Sequence, residues 1–251
     1  MTIPLQVGII YGPLNSRRFG SSLGINLLPG DQKVCSFDCV YCQYDQAQPG
    51  RRVVFPSLER IKEDVGAFFS AVKEKKQKID WITIAGNGEP TLHPQFSDVV
   101  QALIELRDKY IKGTPIGILS NSTTCHLAKI WESLSKLDGC FMKLDAGSEN
   151  ICNALNHPKA AAQWERMTEG LRQLKNITLQ SMFIKGAADN STAEAVEEWV
   201  NLVDSIKPKA VQIYTIDRSP RDAGIQAVSK ERLEEIGALL TRKTGVEALV
   251  F

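Results

Sequence analysis

The chain has 251 residues, of which 43% are hydrophobic and 24% charged. This suits one large α/β domain and excludes a disordered chain, a collagen-like repeat and a small disulfide-stapled scaffold. Thirty Lys+Arg against 29 Asp+Glu leave a net charge of +1, so no overall basic field points to nucleic acid, DNA included, which leaves only a local basic patch. No apolar run approaches the roughly 20 residues that span a bilayer, so no membrane partner is expected.

The opening Met1-Thr2-Ile3-Pro4-Leu5 lacks a cationic start followed by an apolar stretch, so no signal peptide is read and a cytoplasmic location is expected. Residues 1–21 read as a leader, ending in Arg17-Arg18-Phe19-Gly20-Ser21, and 22–251 as one α/β unit. Strands are predicted at Leu23–Leu28, Trp81–Ile84, Ile116–Leu119, Phe141–Leu144, Thr178–Ile184 and Ala210–Ile216, rich in Val, Ile, Leu, Phe and Tyr as buried parallel strands are. Helical stripes lie between them. Ile61, Val65, Phe68 and Val72 form the first, and Phe96, Val99, Val100 and Leu103 the second. Trp164, Met167, Leu171 and Leu174 form another. Ser191-Thr192-Ala193-Glu194 reads as a capping box ahead of Val196, Trp199, Val200, Val203 and Ile206. Ser229 reads as the N-cap of the helix carrying Leu233, Ile236 and Leu240. The lysines of 73–78 close the first helix as a solvated end. Six β–α units imply a parallel sheet, either doubly wound or an incomplete barrel.

Three of the six cysteines fall within eight residues, Cys35-Ser36-Phe37-Asp38-Cys39-Val40-Tyr41-Cys42, just past the first strand. Thiolates this close suit a metal site. Three of them on a four-cornered iron–sulfur cube leave one iron open, as an enzyme needs. The competing reading is a closed zinc knuckle completed by Cys125, Cys140 or Cys152. The gaps between these last three match no compact ligand pattern, and buried free thiols act as small hydrophobes. His93 and His126 lie near strand-end loops, within reach of an active site, while His157-Pro158 reads as a helix breaker. Arg17 and Arg18 read as a solvated turn or as a clamp for an anion.

The Cys-x3-Cys-x2-Cys spacing, with Tyr41 before the third cysteine, resembles the radical S-adenosylmethionine (SAM) superfamily. Ala85-Gly86-Asn87-Gly88-Glu89-Pro90 resembles its glycine-rich motif after the second strand, with Asn87 in place of the first motif glycine. The resemblance implies a partial (β/α)6 barrel, with a 4Fe-4S cluster on Cys35, Cys39 and Cys42. It implies SAM bound near Tyr41, Gly86, Asn87, Gly88, Glu89, Asn121 and Lys143, the lysine facing the SAM carboxylate or an ion pair with Asp145. The chemistry implied is one-electron cleavage of SAM to a 5′-deoxyadenosyl radical that abstracts hydrogen from substrate. A flavodoxin- or ferredoxin-type electron donor goes with it. Residues 11–24, Gly86–Pro94 and Asp217-Arg218-Ser219-Pro220 resemble a group often labelled Fe–S oxidoreductase, distantly similar to wybutosine tRNA-modifying enzymes. Asp217 and Arg218 are the candidate catalytic residues at the substrate end. RNA, a protein glycyl site and a small molecule are the substrate classes this leaves. The rival class is a non-catalytic iron–sulfur or zinc binder.

Overall fold

The computed structural model describes residues 3–45, 50–160, 163–217 and 224–251. Its strands are β1 (Ile10–Ser16), β2 (Gly20–Ile25), β3 (Trp81–Ile84), β4 (Ile116–Ser120), β5 (Gly139–Lys143), β6 (Thr178–Met182), β7 (Ile184–Gly186), β8 (Ala210–Tyr214), β9 (Ile225–Ala227) and β10 (Glu247–Val250). The helices are α1 (Leu58–Glu74), α2 (Phe96–Tyr110), α3 (Ala128–Leu134), α4 (Glu149–Asn156), α5 (Gln163–Gln173), α6 (Ala193–Ile206) and α7 (Lys230–Thr244). The main sheet runs β1-β2-β3-β4-β5-β6-β8-β10, parallel throughout except for β1 on β2. Strand order follows chain order without reversing, which is the winding of a barrel rather than of a doubly wound sheet. Among the described residues β1 and β10 do not pair, so the barrel is partial, as expected.

Two sheet members differ from the predicted set. The leader supplies β1, and β2 begins at Gly20, so the boundary at 22 falls inside a strand. β10 adds a seventh parallel strand beyond the six expected. The predicted strand at 178–184 is interrupted at Phe183, with β7 leaving to pair β9 in a separate two-stranded sheet.

The core lies between sheet and helices. Leu23, Ile82, Ile116, Leu179 and Val211 share one sheet face and are fully buried, as period-two alternation requires. The other face carries polar pairs: Ser22 and Thr83 hydroxyls meet at 2.7 Å, and Gln180 donates to Gln212 at 2.7 Å. At the start of the strands Phe19, Trp81 and Phe141 pack edge-on with ring centroids 4.6–5.9 Å apart, filling that end of the barrel. The helical stripes sit as expected with two local shifts. In α1 the fully buried aromatic is Phe69, with Phe68 only partly buried, because the stripe steps four, four and three. The cap of α6 is Thr192, accepting from Ala195 N at 3.2 Å, while Ser191 bonds Asp189. Ser229 caps α7 as expected.

Candidate active site

The cysteine segment is a loop with little regular structure, so its shape is imposed from outside. Three walls hold it. Under Val34, the backbone pairs with the turn after β3: Val34 N donates to Asn87 O and Glu89 N donates to Val34 O, each at 2.9 Å. At Ser36, the hydroxyl meets Thr123 Oγ1 at 2.6 Å and accepts from Asn121 Nδ2 at 2.9 Å, both from the loop after β4. Beyond Phe37, Asp38 N donates to Asn156 O, and Val40 N to Leu155 O, each at 2.9 Å. These are the orphan carbonyls at the end of α4, which closes with His157 in the left-handed conformation at φ 43°.

The three thiols line a cavity of about 230 Å³ at the C-terminal ends of the strands. Gly86, Gly88, Glu89, Asn121, Lys143 and Tyr214 complete its wall from four strand ends. Among the described residues no three ligating side chains close round a single ion. A cube presents a separate iron to each thiolate, so its ligands stand further apart than those of one zinc. Burial pushes the Cys35 thiol up to about 12 and raises Cys39 as well. Lys33, missed in the sequence, is buried beside this group and pairs with Asp38 at 3.0 Å. Burial works against its charge, but Cys42 and Asp38 outweigh that and raise its pKa.

The glycine-rich turn is shaped by its packing against the cysteine loop. A Cβ on Gly88, at φ 140°, would land on the Val34 carbonyl and lie 3.2 Å from Cys35 Cβ. The room it leaves is for the cysteine loop rather than for a ligand. Asn87 is not brought to the cavity. Its side chain accepts from Gln6 N at 2.8 Å and donates to Gln6 O at 2.9 Å and Pro29 O at 2.8 Å, which ties the leader to the turn. Glu89 does line the cavity, but its carboxylate is filled by Thr91, Ser120 and Asn121 donors. Burial raises its pKa and these bonds hold it back.

Lys143 ends β5 and reaches Asp145 Oδ2 at 3.0 Å while its ammonium sits 4.8 Å from the Tyr41 ring centroid. The expected ion pair with Asp145 is formed, and Lys143 also lines the cavity. Burial alone would lower its pKa, but Asp145 and Cys39 raise it above the ordinary lysine value, so it stays cationic. The Tyr41 hydroxyl donates to Asp145, and its pKa is driven up by burial and by that carboxylate. Asp145 is the partner expected for Lys143, whereas Asn156 belongs to no spacing motif and no signal in the sequence marks it.

A second cavity of about 500 Å³ shares Tyr41, Cys42, Tyr44 and Tyr214 with the first. Asp217 lines it, bonded to Arg17 Nη2 at 3.3 Å with both side chains exposed. Arg18 lines it too, its guanidinium 4.9 Å from the Tyr214 ring centroid and its Nη1 buried with no hydrogen-bond partner among the described residues. Arg218 lies outside the described residues. His93 does not line either cavity: its Nε2 reaches Pro56 O at 3.0 Å and its Nδ1 accepts from Gln95 N at 3.1 Å. His126 is absent from both walls as well. Cys125, Cys140 and Cys152 are buried free thiols on separate elements, and burial pushes each up to about 12.

Three thiols with an open side, amide donors at two sulfurs and a neighbouring cavity lined by cations and aromatics form a donor set that fits an iron–sulfur cube and a charged nucleoside ligand. The family model for the radical SAM superfamily matches residues 31–209, and the chain belongs to that superfamily. Enzymes of this superfamily use a 4Fe-4S cluster and SAM. The chain is 29% identical over 215 residues to a UPF0026 protein of Helicobacter pylori, covering 84% of this chain and 67% of that one. It is 27% identical over 236 residues to a protein named GTPase Obg in Brachyspira hyodysenteriae, covering 92% of this chain but 33% of that protein. A tRNA-2-methylthio-N(6)-dimethylallyladenosine synthase of Wolbachia pipientis is 26% identical over 234 residues, 90% of this chain and 50% of that one. In fold, TYW1 with a lysine–pyruvate adduct bound matches with a TM-score of 0.68 at 12% identity, covering 89% of this chain and 74% of that one.

Proposed function

We propose that this radical SAM enzyme modifies RNA, acting on a nucleoside carried into the second cavity. The observation behind this reading is the wall of that cavity: Arg17, Arg18, Tyr44 and Tyr214 stand beside Cys42. Arginine and tyrosine together offer phosphate pairing and base stacking. The relationship to the Wolbachia tRNA synthase supports the same substrate class. Cys35, Cys39 and Cys42 would hold the cluster. Gly86, Gly88, Glu89, Asn121 and Lys143 line the space for SAM, where the Lys143 ammonium faces a carboxylate. When bound, cluster and SAM supply a carbon radical able to take hydrogen from an unactivated position. Asp217 and Arg218 serve the substrate end. In this reading the protein is a cytoplasmic oxidoreductase served by a flavodoxin- or ferredoxin-type one-electron donor.

The test is anaerobic turnover of reconstituted enzyme with fractionated cell extract, following 5′-deoxyadenosine. Stimulation by the RNA fraction, abolished by ribonuclease, is expected. Stimulation by protein or small-molecule fractions alone would return the substrate to the glycyl-radical or metabolite alternatives. Asp217→Ala should keep slow substrate-free SAM cleavage and lose the RNA-stimulated rate.

A further inference from the structure

Asn156 is the last residue of α4 and is buried. Its Nδ2 lies 3.3 Å from Cys39 Sγ, 2.9 Å from Asp145 Oδ2 and 3.2 Å from the Tyr41 hydroxyl. The amide has two hydrogens for three acceptors. Tyr41 oxygen is already served, because Lys143 donates to it while its own proton goes to Asp145. The two amide hydrogens therefore go to Asp145 and to the Cys39 sulfur. The orientation of the amide follows from the same surroundings. Flipped, its oxygen would face a sulfur and a carboxylate, whereas as placed it accepts from the Cys152 thiol at 3.6 Å. The amide and the sulfur also move as one unit, since Asp38 N and Val40 N are bonded to the carbonyls of Asn156 and Leu155. Cys35 has a matching partner: Asn121 Nδ2 lies 3.4 Å from its sulfur, with Asn121 Oδ1 fixed by Thr123.

We propose that Asn156 is a positioning residue that sets the reduction potential of the cluster through its hydrogen bond to Cys39. One electron from a low-potential donor adds one negative charge to the cluster, part of it on the ligand sulfurs. An N–H aimed at such a sulfur stabilises the reduced state more than the oxidised one and raises the potential. The carboxylate beside Cys39, Asp145, works in the opposite direction, and the Asn156 hydrogen and the Lys143 ammonium offset it. The inference rests on the superfamily assignment and is independent of the substrate.

The experiment is an EPR-monitored redox titration of reconstituted wild-type and Asn156→Leu protein, with iron content measured on both. The midpoint is expected at more negative values in Asn156→Leu at equal iron. An unchanged midpoint at equal iron overturns the proposal. Should Asn156→Leu fail to hold iron, pulsed EPR of reduced Asn121→Leu protein labelled with ¹⁵N-asparagine decides. Coupling of an asparagine nitrogen to the cluster is expected there, since Asn156 is the remaining donor, and its absence overturns the proposal.

Discussion

Asn87 and His93 are both buried polar side chains near the motif turn, and both hold structure rather than a ligand. Asn87 makes three side-chain bonds to Gln6 and Pro29, so Asn87→Ala removes the partner of the half-buried Gln6 N and of the buried Pro29 carbonyl, while Gln6 O keeps Asn26 Nδ2 at 3.3 Å. The expected loss is about 2 kcal/mol of stability, read from denaturant unfolding of the cluster-free chain. An unchanged midpoint would mean that water replaces the amide. His93 donates through Nε2 and accepts through Nδ1, which is the neutral tautomer, and burial lowers its pKa. A depressed folded pKa means stability present above about pH 6.5, the unfolded value, and lost as pH falls through the folded one. Melting temperature should therefore drop more steeply on acidification in wild type than in His93→Gln, measured by thermal unfolding at matched ionic strength.

At the level of elements, the turn after β3 and the end of α4 are where local patterns stop being informative. Strands with Val, Ile and Leu runs and helices with three-to-four stripes are legible because burial repeats with the period of the element. β3 is read to the residue, and the cap of α7 at Ser229 is found. β10 is missed because Glu247-Ala248-Leu249-Val250 is short and only half-buried at an edge. β1 is missed because Gly12 and Pro13 interrupt it at a bulge. In the site, the cysteines and Lys143 announce themselves by spacing or by position at a strand end. Asn156 is joined to them only by tertiary geometry across 117 residues, while Lys33 lies two residues before Cys35 but its burial leaves no trace in the sequence pattern. At Gly88 the close contact that needs a glycine is with the protein itself. The missing Cβ makes room for Val34, so Gly88→Ala should displace the cysteine loop. The expected outcome is iron content well below wild type after reconstitution, and full iron with weakened SAM binding would show that the space at Gly88 serves SAM instead.

Over the whole molecule, the six cysteines divide by place. Cys35, Cys39 and Cys42 share one cavity, while Cys125, Cys140 and Cys152 are packed in the core behind other strands and helices. Replacing any of the first three by Ser should abolish SAM cleavage and lower bound iron. Replacing the other three together by Ala should keep both, at a cost of about 1 kcal/mol per site in stability. Loss of half the iron from that triple variant, with folding retained, would reveal a second cluster. The cysteine loop is stitched to the barrel by main-chain bonds that involve no sulfur: to the β3 turn through Val34 and to α4 through Asp38 and Val40. Small zinc modules, by contrast, take shape only around their metal. Here the bonds that shape the socket need no metal. Loading is then expected to be a docking step, with a chain stripped of its iron refilled without being refolded.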